Sequence, residues 1–163
     1  EGRKVVIVGD VLHSRVARSD LWGLVLAGAQ AVLCGPPTLV PLEFLRGDHQ
    51  RVGNPLASVE VEMDLDCALA DADVVMPLRL QLERQHAGYL PTLREYSKMY
   101  GISQERLSLA RPEALLMHPG PMNEGVEVSP EVAHGAQSVI EEQVHNGVAV
   151  RMALLKLLLN PEG

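Results

Sequence analysis

The apolar and polar positions of this chain fall into two alternating rhythms. Residues 4–9 (KVVIVG) form an unbroken, largely β-branched run that ends in Gly-Asp, the pattern of a strand buried on both faces. Four further short runs have the same character, at 31–35 (AVLCG), 59–63 (VEVEM), 74–78 (VVMPL) and 115–118 (LLMH). Between the first two, Ala17, Leu21, Leu24 and Gly28 recur at steps of 4, 3 and 4, one face of an amphipathic helix that 28–30 closes. A shorter helix is expected at 65–70, with Asp71 and Ala72 handing the chain on to the fourth strand. Strands alternating with helices over the whole length predict an α/β fold, a parallel sheet covered on both faces by right-handed crossovers. For five strands the common doubly wound order is 3-2-1-4-5, which sets the first and fourth strands side by side where the winding reverses. Ligands of such sheets bind in that crevice, beyond the carboxyl ends of the strands. The loops at 10–19, 78–85 and 118–125 are therefore where function is expected.

The last apolar pattern is of another kind. Ile140, Val144, Val148, Met152, Leu155 and Leu159 make one stripe, while Val150, Leu154, Leu157 and Leu158 cover another side of the same helix. A helix apolar nearly all round must be buried on several sides, and an open sheet offers it only one. Its C-terminal turns are expected to pack on protein outside this chain, a two-fold contact between copies being the alternative. The 163 residues have the length of one domain. An opening on Glu1 almost directly before a strand suggests a piece of something longer.

Composition narrows the choices. One Trp, three Tyr and one Phe leave the core to aliphatic residues and Met, and offer no rows of stacking platforms for single-stranded nucleic acid. A net charge of −7 without any basic run also speaks against nucleic acid as a partner. Cys34 and Cys67 match no Cys-x-x-Cys pattern and read as reduced core thiols of a cytoplasmic protein. No signal peptide or membrane-spanning apolar stretch is expected. His13, His49, His86, His134 and His145 lack metal-ligand spacing, so no metal is expected.

The three loops carry the candidate chemistry. The first, GDVLHSRVARS, has a single glycine and so lacks the Gly-x-Gly-x-x-Gly turn of dinucleotide sites. Ser14-Arg15 and Arg18-Ser19 instead open a helix, where N–H groups, the positive helix end and a guanidinium suit a compact anion such as a carboxylate. After the fourth strand, alternation places Arg79 and Gln81 on one side of an extended segment, a guanidinium and an amide able to grip one planar group. Two arginines at neighbouring strand ends fit a small dicarboxylate better than a phosphate ester. In His118-Pro119-Gly120-Pro121 the prolines remove two N–H donors and hold carbonyls in fixed directions, which suits an N–H-bearing ligand. His118 reads as a structural hydrogen bonder. Spacing alone is also compatible with solvated surface loops.

Taken together, HSRVARS (13–19), PLRLQLER (77–84) and LLMHPGPMNEGVEV (115–128) resemble the aspartate-binding half of aspartate transcarbamoylases, and VHNGVAVRMALL (144–155) extends the likeness. Related ornithine enzymes carry His-Cys-Leu-Pro where this chain has His118-Pro119-Gly120-Pro121. The resemblance implies that Arg15 holds one carboxylate of L-aspartate and that Arg79 and Gln81 hold the other. It implies that carbonyls of Pro119 and Gly120 meet the amino group and the carbamoyl amide, with the Gly120–Pro121 bond cis. The implied reaction moves the carbamoyl group of carbamoyl phosphate to the aspartate amine, the committed step of pyrimidine synthesis, and needs no cofactor. In that family a Ser-Thr-Arg-Thr-Arg loop of a carbamoyl phosphate domain holds the phosphate, and no such loop occurs here, so the chain alone is expected not to turn over. Implied partners are that domain and, in a full-length protein, a catalytic homotrimer and dihydroorotase or regulatory chains. Glu124 departs from the usual Arg, which puts a phosphate-gripping role at that position in doubt. Residues 83–93 correspond to a loop that closes on substrates. A non-catalytic carboxylate-binding or assembly module, and a transcarbamoylase for another amine, remain as alternatives.

Overall fold

In a computed structural model, which describes residues 2–80 and 92–159, five strands form one parallel sheet. They are β1 (Lys4–Val8), β2 (Gln30–Cys34), β3 (Glu60–Glu62), β4 (Val74–Pro77) and β5 (Leu115–Leu116), in the expected order β3-β2-β1-β4-β5. Val8 lies level with Cys34 on one side and Pro77 on the other, so the carboxyl ends of β2, β1 and β4 are flush.

Period-two alternation divides the core between the two sheet faces. Val6 and Val8 join Val32, Cys34, Val75 and Leu116 on one face, packed against Leu65, Leu69, Tyr96, Ile102, Leu107 and Ile140. Ile7, Leu33 and Met76 point the other way, against Val11, Ala17, Leu21 and Phe44. The covering helices are α1 (Arg15–Leu26), α2 (Leu42–Leu45), α3 (Leu65–Leu69), α4 (Leu93–Tyr100), α5 (Gln104–Leu107), α6 (Pro130–Ala133) and α7 (Ile140–Leu159). The α1 stripe is real but shorter than its spacing suggests. Ala17 and Leu21 are buried, each such Leu contributing about 1.5–3 kcal/mol, whereas Gly28 is exposed beyond the helix end and Gln30 already belongs to β2. Gly28 adopts a φ of 73°, the left-handed conformation that turns the chain back to the sheet.

Other expectations need correction. The fifth strand stops at Leu116, and its outer edge is paired with residues 137–139: the Leu116 N–H donates to the Gln137 carbonyl and its own carbonyl accepts from the Val139 N–H. Cys34 is buried, but Cys67 is exposed. The α3 helix turns Leu65, Ala68 and Leu69 inward, and Cys67 falls on the opposite face.

The long helix α7 buries only Ile140. Val144 and Val148 are each 50% exposed, Met152 66% and Leu158 76%. The apolar residues that cover its second half on two sides thus find no cover among the described residues. No helix of the described residues is long and apolar enough to cross a membrane.

Candidate functional site

Three loops leave the carboxyl ends of β1, β4 and β5, and buried polar side chains shape each of them. After β1, Gly9 has a φ of 116°, and a Cβ there would lie 2.6 Å from the Tyr96 hydroxyl, so only glycine fits this close approach. The buried Asp10 carboxylate then accepts from the His13 N–H (3.1 Å) and contacts His13 Nδ1 (2.8 Å). That turn delivers Ser14 as the cap of α1, its hydroxyl accepting from the Ala17 N–H at 3.1 Å. Arg15 is the first helical residue, and it is exposed. The first-turn N–H groups have no carbonyl behind them in the helix, so Arg15 stands at the positive end of α1. Arg18 braces this loop instead of facing a ligand, its guanidinium donating to the Leu12 carbonyl at 3.3 Å.

After β4, the Leu78 N–H continues the ladder to the Val8 carbonyl at 2.8 Å. The alternation expected through Arg79 ends there. Leu78 packs in the cluster of Ile7 and Met76, while Leu80 packs in the opposite cluster with Val6 and Tyr96. The chain therefore turns over at Arg79, which is half-buried. Gln81 lies outside the described residues, as does most of the segment expected to close on substrates.

The loop after β5 is built around His118, which is fully buried. Its N–H donates to the Gln143 side chain of α7 at 2.8 Å, and its Nδ1 accepts from the Gly120 N–H at 2.9 Å. Burial lowers its pKa from 6.5 to about 4, so the imidazole is neutral at neutral pH and remains an acceptor. An accepting Nδ1 assigns the ring proton to Nε2, which has no partner among the described residues. The Gly120–Pro121 bond is cis, in line with the resemblance, and Gly120 has a φ of 64°. Prolines contribute no N–H, and the Gly120 N–H is consumed by His118. From Pro119 to Pro121 the backbone thus presents carbonyls only.

Glu124 is turned to α6, where its carboxylate lies 3.3 Å from His134 Nε2. Three groups that shape the site escaped the sequence reading: Glu127, Asn123 and Gln143. Glu127 is a fully buried carboxylate that joins the second and third loops. It lies in an irregular segment, where no periodicity marks a residue as buried. Among the described residues, no group of His, Cys, Asp and Glu could hold a metal ion.

The sheet and its loops define a doubly wound α/β domain, with the winding reversed between β1 and β4, where ligands of such sheets bind. The chain belongs to the aspartate/ornithine carbamoyltransferase family, whose Asp/Orn binding domain matches residues 1–158. It is 57% identical over 158 residues to the aspartate carbamoyltransferase catalytic subunit of Pelotomaculum thermopropionicum, covering 97% of this chain and 48% of that protein. It is 58% identical over 156 residues to the corresponding subunit of a Roseiflexus species, covering 95% and 47%. Among solved structures, aspartate transcarbamoylase from Trypanosoma cruzi in complex with phosphate aligns with a TM-score of 0.75 and 25% identity, covering 95% of this chain and 49% of that one. Ornithine carbamoyltransferase from Pyrococcus furiosus aligns with a TM-score of 0.77 and 27% identity, covering 96% and 50%. The chain thus spans about half the length of the curated relatives it matches.

Proposed function

We propose that this chain is the L-aspartate-binding half of an aspartate carbamoyltransferase and supplies the amine side of carbamoyl transfer. The observation that carries the reading is that Arg79 and the carbonyl-only turn Pro119-Gly120-Pro121 follow the carboxyl ends of the neighbouring strands β4 and β5, while Arg15 opens α1 after β1, the other neighbour of β4. Arg15 takes one carboxylate, and Arg79 with Gln81 takes the other. The fixed carbonyls of Pro119 and Gly120 accept N–H groups of the amine and the carbamoyl amide, leaving the amine lone pair free for the carbamoyl carbon. A carbon–nitrogen bond then forms, the bond from the carbamoyl carbon to the phosphate oxygen breaks, and the proton lost by the amine leaves with the phosphate. Alignment of two bound reactants lowers such a barrier by about 7–11 kcal/mol. Identities of 57–58% to two aspartate carbamoyltransferase catalytic subunits support aspartate as the amine.

The phosphate side belongs to a carbamoyl phosphate domain, and the exposed apolar sides of α7 are its seat. The location is cytoplasmic, as befits a biosynthetic enzyme. The test is kinetic. In the full-length protein, Arg79→Ala is expected to raise the KM for aspartate at least tenfold and to change that for carbamoyl phosphate much less. Equal loss of both would refute the assignment. The chain alone is expected to form no carbamoyl aspartate.

A further inference from the structure

A buried carboxylate joins the two loops that carry the candidate aspartate ligands. Glu127 is completely shielded from solvent. Its Oε1 accepts from the Leu80 N–H at 2.8 Å and from Asn123 Nδ2 at 2.8 Å, while Oε2 accepts from the Asn123 N–H at 2.8 Å. Asn123 Nδ2 also reaches the Leu80 carbonyl at 3.4 Å. Both polar groups of the Leu80 backbone are thus held from the β5 side, one residue beyond Arg79. On the other side, Asn123 lies two residues beyond the cis bond to Pro121. The base of the clamp is rigid in turn, because the Ile102 N–H donates to the Glu127 carbonyl at 2.9 Å and the Ser129 N–H returns to the Ile102 carbonyl at 3.0 Å.

Burying a carboxylate is costly unless its acceptor sites are filled, and here the described donors that fill them come from both substrate-facing loops. An arrangement needed only for packing could use an apolar side chain. What a carboxylate adds is directional attachment of two N–H groups from separate loops. It also accounts for the turn-over of the chain at Arg79: holding the Leu80 N–H toward Glu127 sends the Leu80 side chain into the opposite cluster from Leu78 and breaks the strand rhythm at the guanidinium.

We infer that Glu127 is a positioning residue that locks the Arg79 segment to the Pro119-Gly120-Pro121 turn, so that carboxylate and amine of the substrate are presented in one geometry. The inference rests on the function proposed above. Glu127 touches no substrate. It acts through Leu80 and Asn123, and its removal lets the two halves of the aspartate site move apart.

The experiment uses the full-length enzyme with carbamoyl phosphate and L-aspartate. Glu127→Gln keeps the length but sets an amide NH2 against one of the N–H donors. The KM for aspartate is expected to rise about tenfold or more, since a misplacement of about 1 Å can cost a hundredfold, with the KM for carbamoyl phosphate changed less than twofold. A purely structural role would lower the folded fraction, and hence kcat, and leave the aspartate KM of the surviving enzyme untouched. Asn123→Ala, a milder change that leaves the backbone donor in place, is expected to raise the aspartate KM severalfold. Combined with Glu127→Gln it should add less than its own effect. Amide exchange gives a readout independent of substrate: Leu80 and Asn123 are expected to lose protection together in Glu127→Gln. If Arg79→Ala raises the aspartate KM and Glu127→Gln does not, the clamp is overturned while the function stands. If Arg79→Ala has no effect, the functional reading fails, and unchanged protection at Leu80 and Asn123 overturns the clamp as well.

Discussion

Acidification should break the turn after β5 through a single side chain, His118. Folding holds its imidazole neutral down to about pH 4, whereas the unfolded chain takes up the proton near 6.5. Between these values the unfolded state binds more protons, so stability falls as the pH drops from 6.5 toward 4 and levels off below. At about 1.4 kcal/mol per pH unit the full loss is about 3.5 kcal/mol, and about 2.5 kcal/mol of it is reached by pH 4.5. The local consequence is specific. A proton on Nδ1 removes the acceptor for the Gly120 N–H, so the carbonyl-presenting turn loses its internal anchor. The measurement compares wild type with His118→Gln, a side chain that can still accept but does not titrate. Denaturant unfolding of the full-length protein between pH 7 and 4.5 should show the wild type losing about 2.5 kcal/mol more than the variant, and the Gly120 amide should exchange faster over the same range. The many carboxylates contribute equally to both proteins and cancel. Parallel pH profiles, or an imidazole proton resonance for His118 that titrates near 6.5, would refute the reasoning.

Three further outcomes follow from the described contacts. Cys67 should react with a maleimide in the native protein, while Cys34, buried and with its pKa pushed up to about 12, should react only after unfolding; mass spectrometry of the labelled peptides decides. Ser14→Ala removes the α1 cap and should cost about 1 kcal/mol in denaturant unfolding, and by loosening the first turn under Arg15 it should also raise the aspartate KM. Tyr96→Phe deletes a buried hydroxyl without a partner among the described residues, and an unsatisfied buried polar group costs about 1–3 kcal/mol. The variant should therefore be as stable as wild type or more so, and a loss above about 1 kcal/mol would mean that the hydroxyl is bonded after all.

Much of the architecture could be read before any coordinates. Strand and helix alternate with clear rhythms, the runs at 4–9, 31–35 and 74–78 are buried on both sides of a sheet, and the order expected as the common one for five strands is the order found. The loop contents were legible for a different reason: Arg15, Arg79 and the Pro-Gly-Pro turn carry charges or backbone restrictions that announce themselves. Two expectations failed: Cys67 looked apolar, yet its helix turned it outward; alternation through Arg79 stopped where Leu80 changed sides. At Leu80 the backbone N–H is held by Glu127, far along the chain.

The division between what sequence and fold determine has a physical basis. Local periodicity and the conformational limits of proline and glycine act within a few residues, so the sequence by itself determined the elements, their order, the cleft over β1 and β4 and the chemistry of its rim. Burial of a polar side chain depends on partners far along the chain: Glu127 meets Leu80 at a separation of 47 residues and His118 meets Gln143 at 25. No pattern within an irregular segment encodes such a meeting. Only the packed structure decided that a glutamate and a histidine, neither exposed, are hydrogen-bonded into the loops after β4 and β5.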